Sequence, residues 1–130
     1  MHDFRWPALV TLGVVVLMAA VAANVVRARI KYGVRAPAVA GNPGFERAFR
    51  VQLNTIESAV MFLPVLWLFA AFVNGVGSAV LGAAWLAARV WYALAYQKHA
   101  TKRGPPFVVS MFVVAFLWLG AAWGVLRALW

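Results

Sequence analysis

Four long apolar runs dominate this chain of 130 residues and constrain every fold that it can adopt. Each is near the ~20 residues that an α-helix needs to cross hydrocarbon. No alternation with a period of two residues, as a membrane β-barrel requires, is visible. The pattern predicts an all-α integral membrane protein, a four-transmembrane-helix bundle that forms one domain over residues 1–130. The runs are Trp6–Val26, Ser58–Val73 (with a polar helical extension back to about Phe45), Val76–Tyr96 and Phe107–Trp130.

The composition agrees with this prediction. Hydrophobic residues make up 65% of the chain, the mean hydropathy is +0.84, and charged residues are only 12%. That charged share is about half of what globular proteins contain, so a large water-soluble core is not expected. A net charge of +9 would suggest nucleic acid in a soluble protein. Here it is interpreted as loop charge that fixes orientation and attracts anions, so no nucleic-acid partner is expected.

Cysteine is missing from the chain, which has two histidines and three acidic residues. Without cysteine there is no disulfide framework, no thiolate metal site and no protein thiol nucleophile. Two distant histidines and three acids also make a metal centre improbable. Any thiol chemistry would therefore need a thiol that arrives with a small molecule.

Basic residues collect in two of the three connections between the apolar runs, and the middle connection, residues 74–78, is uncharged. The positive-inside rule then places nine of the twelve basic residues in the cytoplasm and both termini outside. These nine are Arg27, Arg29, Lys31, Arg35, Arg47, Arg50, Lys98, Lys102 and Arg103.

The first apolar run also imitates a secretory signal, because Ala20-Val21-Ala22 resembles a cleavage site. The run continues past that site to Val26, however, and basic residues follow at once as in a stop-transfer segment. The run is therefore interpreted as a retained transmembrane helix.

Two polar stripes interrupt the apolar pattern. On a helix, Arg50, Asn54 and Glu57 stand at i, i+4 and i+7 and share one face. Arg89, Tyr92 and Tyr96 form a similar stripe in the third run, which Arg103 joins if that helix persists so far. Ionisable groups at bilayer depth are expensive, so they usually face a bundle interior and mark a site.

Glu57 and Arg89 lie at similar depths, roughly 15 Å from the expected cytoplasmic end at ~1.5 Å per residue. They are predicted to be partners, either within one subunit or between two, and one interpretation is a buried ion pair that only fixes helix register. The wider set of cations, amides, phenols and one carboxylate instead suits a small zwitterionic ligand with several carboxylates and one amine. Arg89 is counted among the ligand-binding residues in that interpretation.

The segment 45–57, read F-E-R-A-F-R-V-Q-L-N-T-I-E, carries an E-R-x-x-R-x-Q-x-N-x-x-E pattern, and residues 89–96 carry R-x-x-Y-x-x-x-Y. With these motifs the chain resembles the MAPEG family, the membrane-associated proteins in eicosanoid and glutathione metabolism. Nearly the whole chain takes part in the resemblance. It is most similar in kind to the bacterial members that resemble microsomal glutathione transferases.

The resemblance implies a homotrimer of four-helix subunits with glutathione between adjacent subunits near the cytoplasmic face. It implies that Arg103 lies against the glutathione sulfur and stabilises the thiolate. It also implies a lipophilic electrophile or a lipid hydroperoxide as the second substrate, reached from the surrounding membrane lipid. The residues that would bind glutathione by this resemblance are Arg29, Arg50, Gln52, Asn54, Glu57, Tyr92 and Tyr96.

Three positions depart from the family's eicosanoid-processing members. Ser58 follows Glu57 where those members tend to carry an aromatic residue, and Pro64 lies farther from the glutamate. Ile30 follows Arg29 where a leukotriene-forming member has a second arginine. These departures favour a general glutathione transferase or glutathione-dependent peroxidase. Two alternatives stay open: a non-catalytic lipid-binding scaffold of the same family, and a small four-helix multidrug exporter. The exporter class places its essential carboxylate in the first helix, where this chain has none.

Overall fold

Four long α-helices and one short 3₁₀ segment make up the computed structural model, which describes residues 3–130. All four long segments are long and apolar enough to cross a membrane, which confirms the predicted four-helix membrane architecture. The elements in chain order are α1 (Arg5–Tyr32), α2 (Pro43–Phe72), α3 (Gly75–Lys98), the 3₁₀ segment η1 (Ala100–Arg103) and α4 (Gly104–Ala128).

Helix α1 extends beyond its apolar run to Tyr32, and α2 begins before its run at Pro43, because local signals set these ends. Gly33 closes α1 in the left-handed conformation (φ 68°), which glycine adopts without a Cβ penalty. At the start of α2, the Asn42 side chain accepts from the N–H groups of Gly44 (2.8 Å) and Phe45 (3.2 Å). Pro43 then occupies the first helical position, where no N–H is needed. Only Val73 and Asn74 separate α2 from α3, so these two helices form a tight antiparallel hairpin.

The α2–α3 hairpin lies at the centre of the subunit. Helix α1 packs against one side of it and α4 against the other. In the core, Phe62 of α2 and Trp85 of α3 stack in parallel with ring centroids 4.1 Å apart, and both are fully buried. Trp85 Nε1 donates to Ser58 Oγ at 3.2 Å, so the indole N–H does not stay unsatisfied in the apolar interior.

A G-x-x-x-G pair in α4 brings that helix close to α2. A Cβ at Gly124 would come within 2.8 Å of the backbone oxygen of Phe72, and one at Gly120 would meet the Phe69 ring. Small residues let helix backbones approach closely in a membrane. The motif therefore serves packing within the subunit, between α2 and α4.

The third helix does not persist to Arg103. It ends at Lys98, because His99 has an extended backbone (φ −147°, ψ 122°), and η1 leads into α4. The condition under which Arg103 would join the stripe of Arg89, Tyr92 and Tyr96, a third helix that continues to Arg103, is therefore not met. The 3₁₀ turn nevertheless returns Arg103 to the same end of the bundle as Tyr96.

Candidate functional site

A pocket of about 620 Å³ opens at the end of the bundle where α2 begins and α3 ends. We call it the main pocket. It lies between the α2–α3 hairpin, η1 and the start of α4. Six of the residues predicted from sequence line it together: Arg50, Asn54, Glu57, Tyr92, Tyr96 and Arg103.

The α2 side of the main pocket follows from helix periodicity. Arg50 and Glu57 are exposed and Asn54 is half-buried, whereas Val51, Thr55 and Ser58 on the other face are buried in the bundle. The stripe therefore stands at the edge of the buried face, where polar groups reach water and the core stays apolar. Helix α2 thus places one cation, one amide and one carboxylate around the same space.

Arg103 is held over the pocket by an aromatic neighbour. Its Nη1 donates to the Tyr96 hydroxyl at 3.3 Å, and its guanidinium carbon lies 5.2 Å from the centre of the Tyr96 ring. Tyr96 in turn packs against Tyr92, with ring centroids 5.6 Å apart. The guanidinium is thus oriented by one hydrogen bond and one cation–π contact, while its other nitrogens stay available to a ligand.

Arg89 is fully buried behind the pocket wall and does not line the pocket. Its Nη2 donates to Asn54 Oδ1 at 2.8 Å and to Thr55 Oγ1 at 3.2 Å. Its Nη1 reaches Ser110 Oγ of α4 at 3.5 Å. The guanidinium also lies 4.1 Å from the centre of the Tyr92 ring, so one side chain joins α2, α3 and α4.

Glu57 and Arg89 do not pair within one subunit, so that form of the prediction is wrong. Among residues 3–130 the only ion pair is Asp3–Arg5, and Arg89 is bonded to neutral groups. The reason is rotational: Glu57 stands two residues after Thr55, or about 200° around α2, so it faces away from Arg89. Equal depth in the bundle was not sufficient to make them neighbours.

Arg29 and Gln52 also stay outside the main pocket of their own subunit. Arg29 Nη1 donates to the carbonyl of Ala38 at 2.7 Å and to that of Val34 at 3.4 Å, and its guanidinium covers the Phe45 ring. Gln52 is half-buried and stands about 200° from Asn54 around α2. Neither can reach the same ligand as Asn54 within one subunit.

Sequence reasoning missed several residues that form or support the pocket. Leu53, Gly104 and Phe107 line it, and Leu53 shares the helix face of Arg50 and Glu57. The hydroxyls of Thr55 and Ser110 hold Arg89, and Ser110 is the only hydroxyl residue of α4. The contact between Arg89 and Ser110 could have been suspected from the sequence, because Ser110 is a single serine in an otherwise apolar span.

An apolar groove of about 600 Å³ lies on the surface of the subunit between α2 and α4. Val60 stands one turn beyond Glu57, and Met111 one turn beyond Phe107, so the groove begins next to the main pocket. Its other lining includes Met61, Pro64, Ala115 and Trp118. Ser58 does not reach either cavity, since it is buried against Trp85.

Comparison with known proteins places these features in a family. The chain is 45% identical over 124 residues to an uncharacterized protein of Synechocystis sp., covering 95% of this chain and 90% of that one. It is 38% identical over 104 residues to microsomal glutathione S-transferase 2 of Homo sapiens, with 80% of this chain and 71% of the relative covered. Leukotriene C4 synthase of Mus musculus is 36% identical over 119 residues, with 92% and 79% covered. The MAPEG family profile matches residues 7–123. The chain therefore belongs to the MAPEG family.

Proposed function

We propose that this protein is a membrane glutathione transferase that also reduces lipid hydroperoxides with glutathione. One observation carries the proposal: five side chains predicted from the sequence to bind glutathione line a single pocket together with Arg103, which was predicted to stabilise the thiolate. The relatives named as a glutathione S-transferase and a leukotriene C4 synthase support it at the level of the family.

The polar groups of the main pocket match the charges of glutathione. The tripeptide brings two carboxylates, one ammonium group, amides and a thiol. Arg50 and Arg103 supply guanidinium donors for anions, and Glu57 supplies a carboxylate for the ammonium group. Asn54 offers an amide whose orientation is set by its bond from Arg89.

Arg103 is proposed to act on the sulfur. Thiolate is the nucleophile, and a free thiol with a pKa of ~8.5 is mostly protonated at neutral pH. A guanidinium beside the sulfur favours the anion and keeps its own charge. In the transferase reaction the thiolate sulfur bonds to an electrophilic carbon, and the electron pair leaves with the displaced group or takes up a proton.

In the peroxidase reaction the thiolate attacks one oxygen of the hydroperoxide and the O–O bond breaks. The other oxygen leaves as an alkoxide and takes a proton to become an alcohol. A second glutathione then reduces the sulfenic acid, giving glutathione disulfide and water. The reducing equivalents thus come from two glutathione molecules, and the protein itself changes no oxidation state.

The apolar groove is the proposed route for the second substrate. It joins the main pocket one helical turn from Glu57 and faces the hydrocarbon of the bilayer, where lipophilic molecules concentrate. The groove is lined only by apolar side chains, so no polar group in it would select one particular substrate. This favours a range of electrophiles over one eicosanoid.

A homotrimer is proposed to complete the site. Arg29 and Gln52 cannot reach the main pocket of their own subunit, but they would reach that of a neighbour if adjacent subunits enclose one glutathione. The mass of the protein–detergent complex tests the trimer directly. A monomer in mild, lipid-supplemented detergent would contradict it.

Isothermal titration of the detergent-solubilised protein with glutathione tests the proposal. We expect binding at or below millimolar concentration, together with turnover of a lipophilic electrophile. Gln52→Ala should weaken glutathione binding about tenfold, because the loss of one hydrogen bond costs ~1.4 kcal/mol. Gln97→Ala, at the same end of the bundle but outside the main pocket, is the matched control. No heat of binding with millimolar glutathione would favour the lipid-binding scaffold instead.

The main pocket is proposed to face the cytoplasm of a bacterial cell, with both termini on the other side of the inner membrane. The chain has no cysteine, so a single introduced cysteine can be labelled without background. In intact cells, Arg35→Cys should resist a membrane-impermeant maleimide and Leu129→Cys should react; inverted vesicles should show the reverse. The same reactivity at both positions, or the opposite order, would contradict this orientation.

A further inference from the structure

We propose that a second, basic pocket binds the phosphate of an anionic membrane lipid. The basic pocket has a volume of about 350 Å³ and lies between α1, the start of α2 and the end of α3. It shares no lining residue with the main pocket, and the proposal does not depend on glutathione chemistry. Its polar lining consists of Asn24, Arg27, Lys31, Tyr32, Arg47 and Gln97.

The charged residues that line the basic pocket are all positive. Arg27, Lys31 and Arg47 come from two helices and face one space, and none of its lining residues within the described chain is acidic. Three cations brought together repel one another unless an anion lies between them. A phosphate group, with its negative charge and several acceptor oxygens, satisfies that arrangement.

Several of these side chains are held in place without a ligand. Arg27 Nη2 donates to Asn24 Oδ1 at 3.1 Å, and Arg47 Nε donates to the carbonyl of Gln97 at 3.3 Å. Both guanidinium groups keep further N–H groups for a ligand. The two fixed cations therefore lose little side-chain entropy when an anion binds.

The rim of the pocket also depends on a close approach of Tyr32 to the start of α2. A Cβ at Gly44 would come within 2.5 Å of Cζ of the Tyr32 ring, so glycine allows the ring to lie against the backbone there. Lys31 Nζ lies 5.3 Å from the centre of the same ring. An aromatic ring with a hydroxyl group beside basic side chains is typical of the bilayer interface.

The surface below the pocket favours a lipid over a soluble anion. Leu94 and Val90 stand one and two turns along α3 from Gln97 on the same face, and both are exposed. On α1, Val16 stands two turns from Asn24 and is 68% exposed. Acyl chains attached to a phosphate in the pocket would cover these apolar residues. Basic pockets between transmembrane helices are a known mode of headgroup recognition.

Native mass spectrometry of the full chain in mild detergent tests this proposal. The protein is titrated separately with dioleoylphosphatidylglycerol and dioleoylphosphatidylcholine, and bound lipids are counted per subunit. We expect phosphatidylglycerol to saturate one site per subunit. At the same concentrations, phosphatidylcholine should occupy that site only to a small extent. The triple variant Arg27→Gln/Lys31→Gln/Arg47→Gln should lower the affinity for phosphatidylglycerol on the order of 100-fold, because each basic residue near the surface contributes about 1 kcal/mol.

The matched control removes the same charge from the same end of the bundle. Arg35, Lys98 and Lys102 are exposed and line neither pocket, so Arg35→Gln/Lys98→Gln/Lys102→Gln should change the affinity less than about threefold. Equal losses in the two variants would overturn the proposal, because general surface charge would then explain binding. Displacement of phosphatidylglycerol by millimolar inorganic phosphate would overturn the assignment to lipid.

A double variant keeps the test valid if the triple variant does not fold. Arg27 and Lys31 are exposed, and Arg27→Gln/Lys31→Gln leaves the bond from Arg47 to Gln97 in place. Its circular dichroism should match that of the parent, and its affinity for the anionic lipid should fall at least about tenfold. A folded double variant with unchanged lipid affinity would also overturn the proposal.

Discussion

Arg103→Ala is expected to lower the thiolate fraction of bound glutathione about 25-fold at pH 7, if Arg103 lowers the thiol pKa by about two units. A thiol with a pKa of ~8.5 is about 3% ionised at pH 7, whereas one with a pKa of ~6.5 is about 76% ionised. Thiolate absorption near ~240 nm measures that fraction directly on the complex. Turnover should fall by a similar factor, since only the anion attacks.

The pH dependence makes this prediction specific. Because the guanidinium lowers the thiol pKa, its contribution lies between pH ~6.5 and ~8.5 and disappears at higher pH, where the thiol ionises without help. The Arg103→Ala variant should therefore regain most thiolate signal near pH 9.5. A lost binding residue would give no such recovery.

The adjacent cation provides the control for Arg103. Lys102 is exposed and does not line the main pocket, so Lys102→Ala should keep the parental signal and turnover. Circular dichroism should be unchanged in both variants, because Arg103 is exposed and makes one long hydrogen bond. Full thiolate signal and turnover in Arg103→Ala would disprove the assigned role.

Arg89→Met should destabilise the fold by about 2–4 kcal/mol, the net loss expected for several buried bonds from a charged donor, partly offset by the relief of its desolvation. The guanidinium is fully buried and holds Asn54, Thr55 and Ser110 from two other helices. Methionine fills much of the space but donates nothing. The buried Thr55 hydroxyl would then lose its partner, and the Asn54 amide would lose the bond that orients it.

Arg50→Met separates a structural role from a ligand-binding role. Arg50 lines the main pocket and is exposed, so its loss should weaken glutathione binding and leave thermal stability nearly unchanged. Arg89→Met should lower the midpoint of thermal unfolding in detergent and, where still folded, bind glutathione poorly because Asn54 is no longer oriented. A parental midpoint for Arg89→Met would disprove the structural role of Arg89.

Much of the architecture was predictable because it depends on single helices. Run lengths gave the four membrane helices, and the spacing of Arg50, Asn54 and Glu57 placed them on one edge of α2. The end of α1 was less accurate, because the helix continues beyond Val26 to Tyr32, where Gly33 closes it.

The relation between helices was harder to predict. Whether Arg89 meets Glu57 or Asn54 depends on how far α2 and α3 are rotated about their own axes, and neither periodicity nor depth contains that angle. The path to Arg103 depended on where α3 stops, and the extended backbone of His99 decided it. Residues expected from a neighbouring subunit, such as Gln52, could be assigned only through the resemblance to the family.

The two-residue link between α2 and α3 has a mechanical consequence. Arg50 lies 24 residues before Asn74, or ~36 Å along α2, so the main pocket occupies the free end of a long hairpin. A tilt of about 5° between the two arms would displace their free ends by roughly 3 Å, enough to admit or retain a ligand. The hydrogen bonds from Arg89 on α3 to Asn54 and Thr55 on α2, rather than the distant link, therefore limit how far the pocket entrance can open.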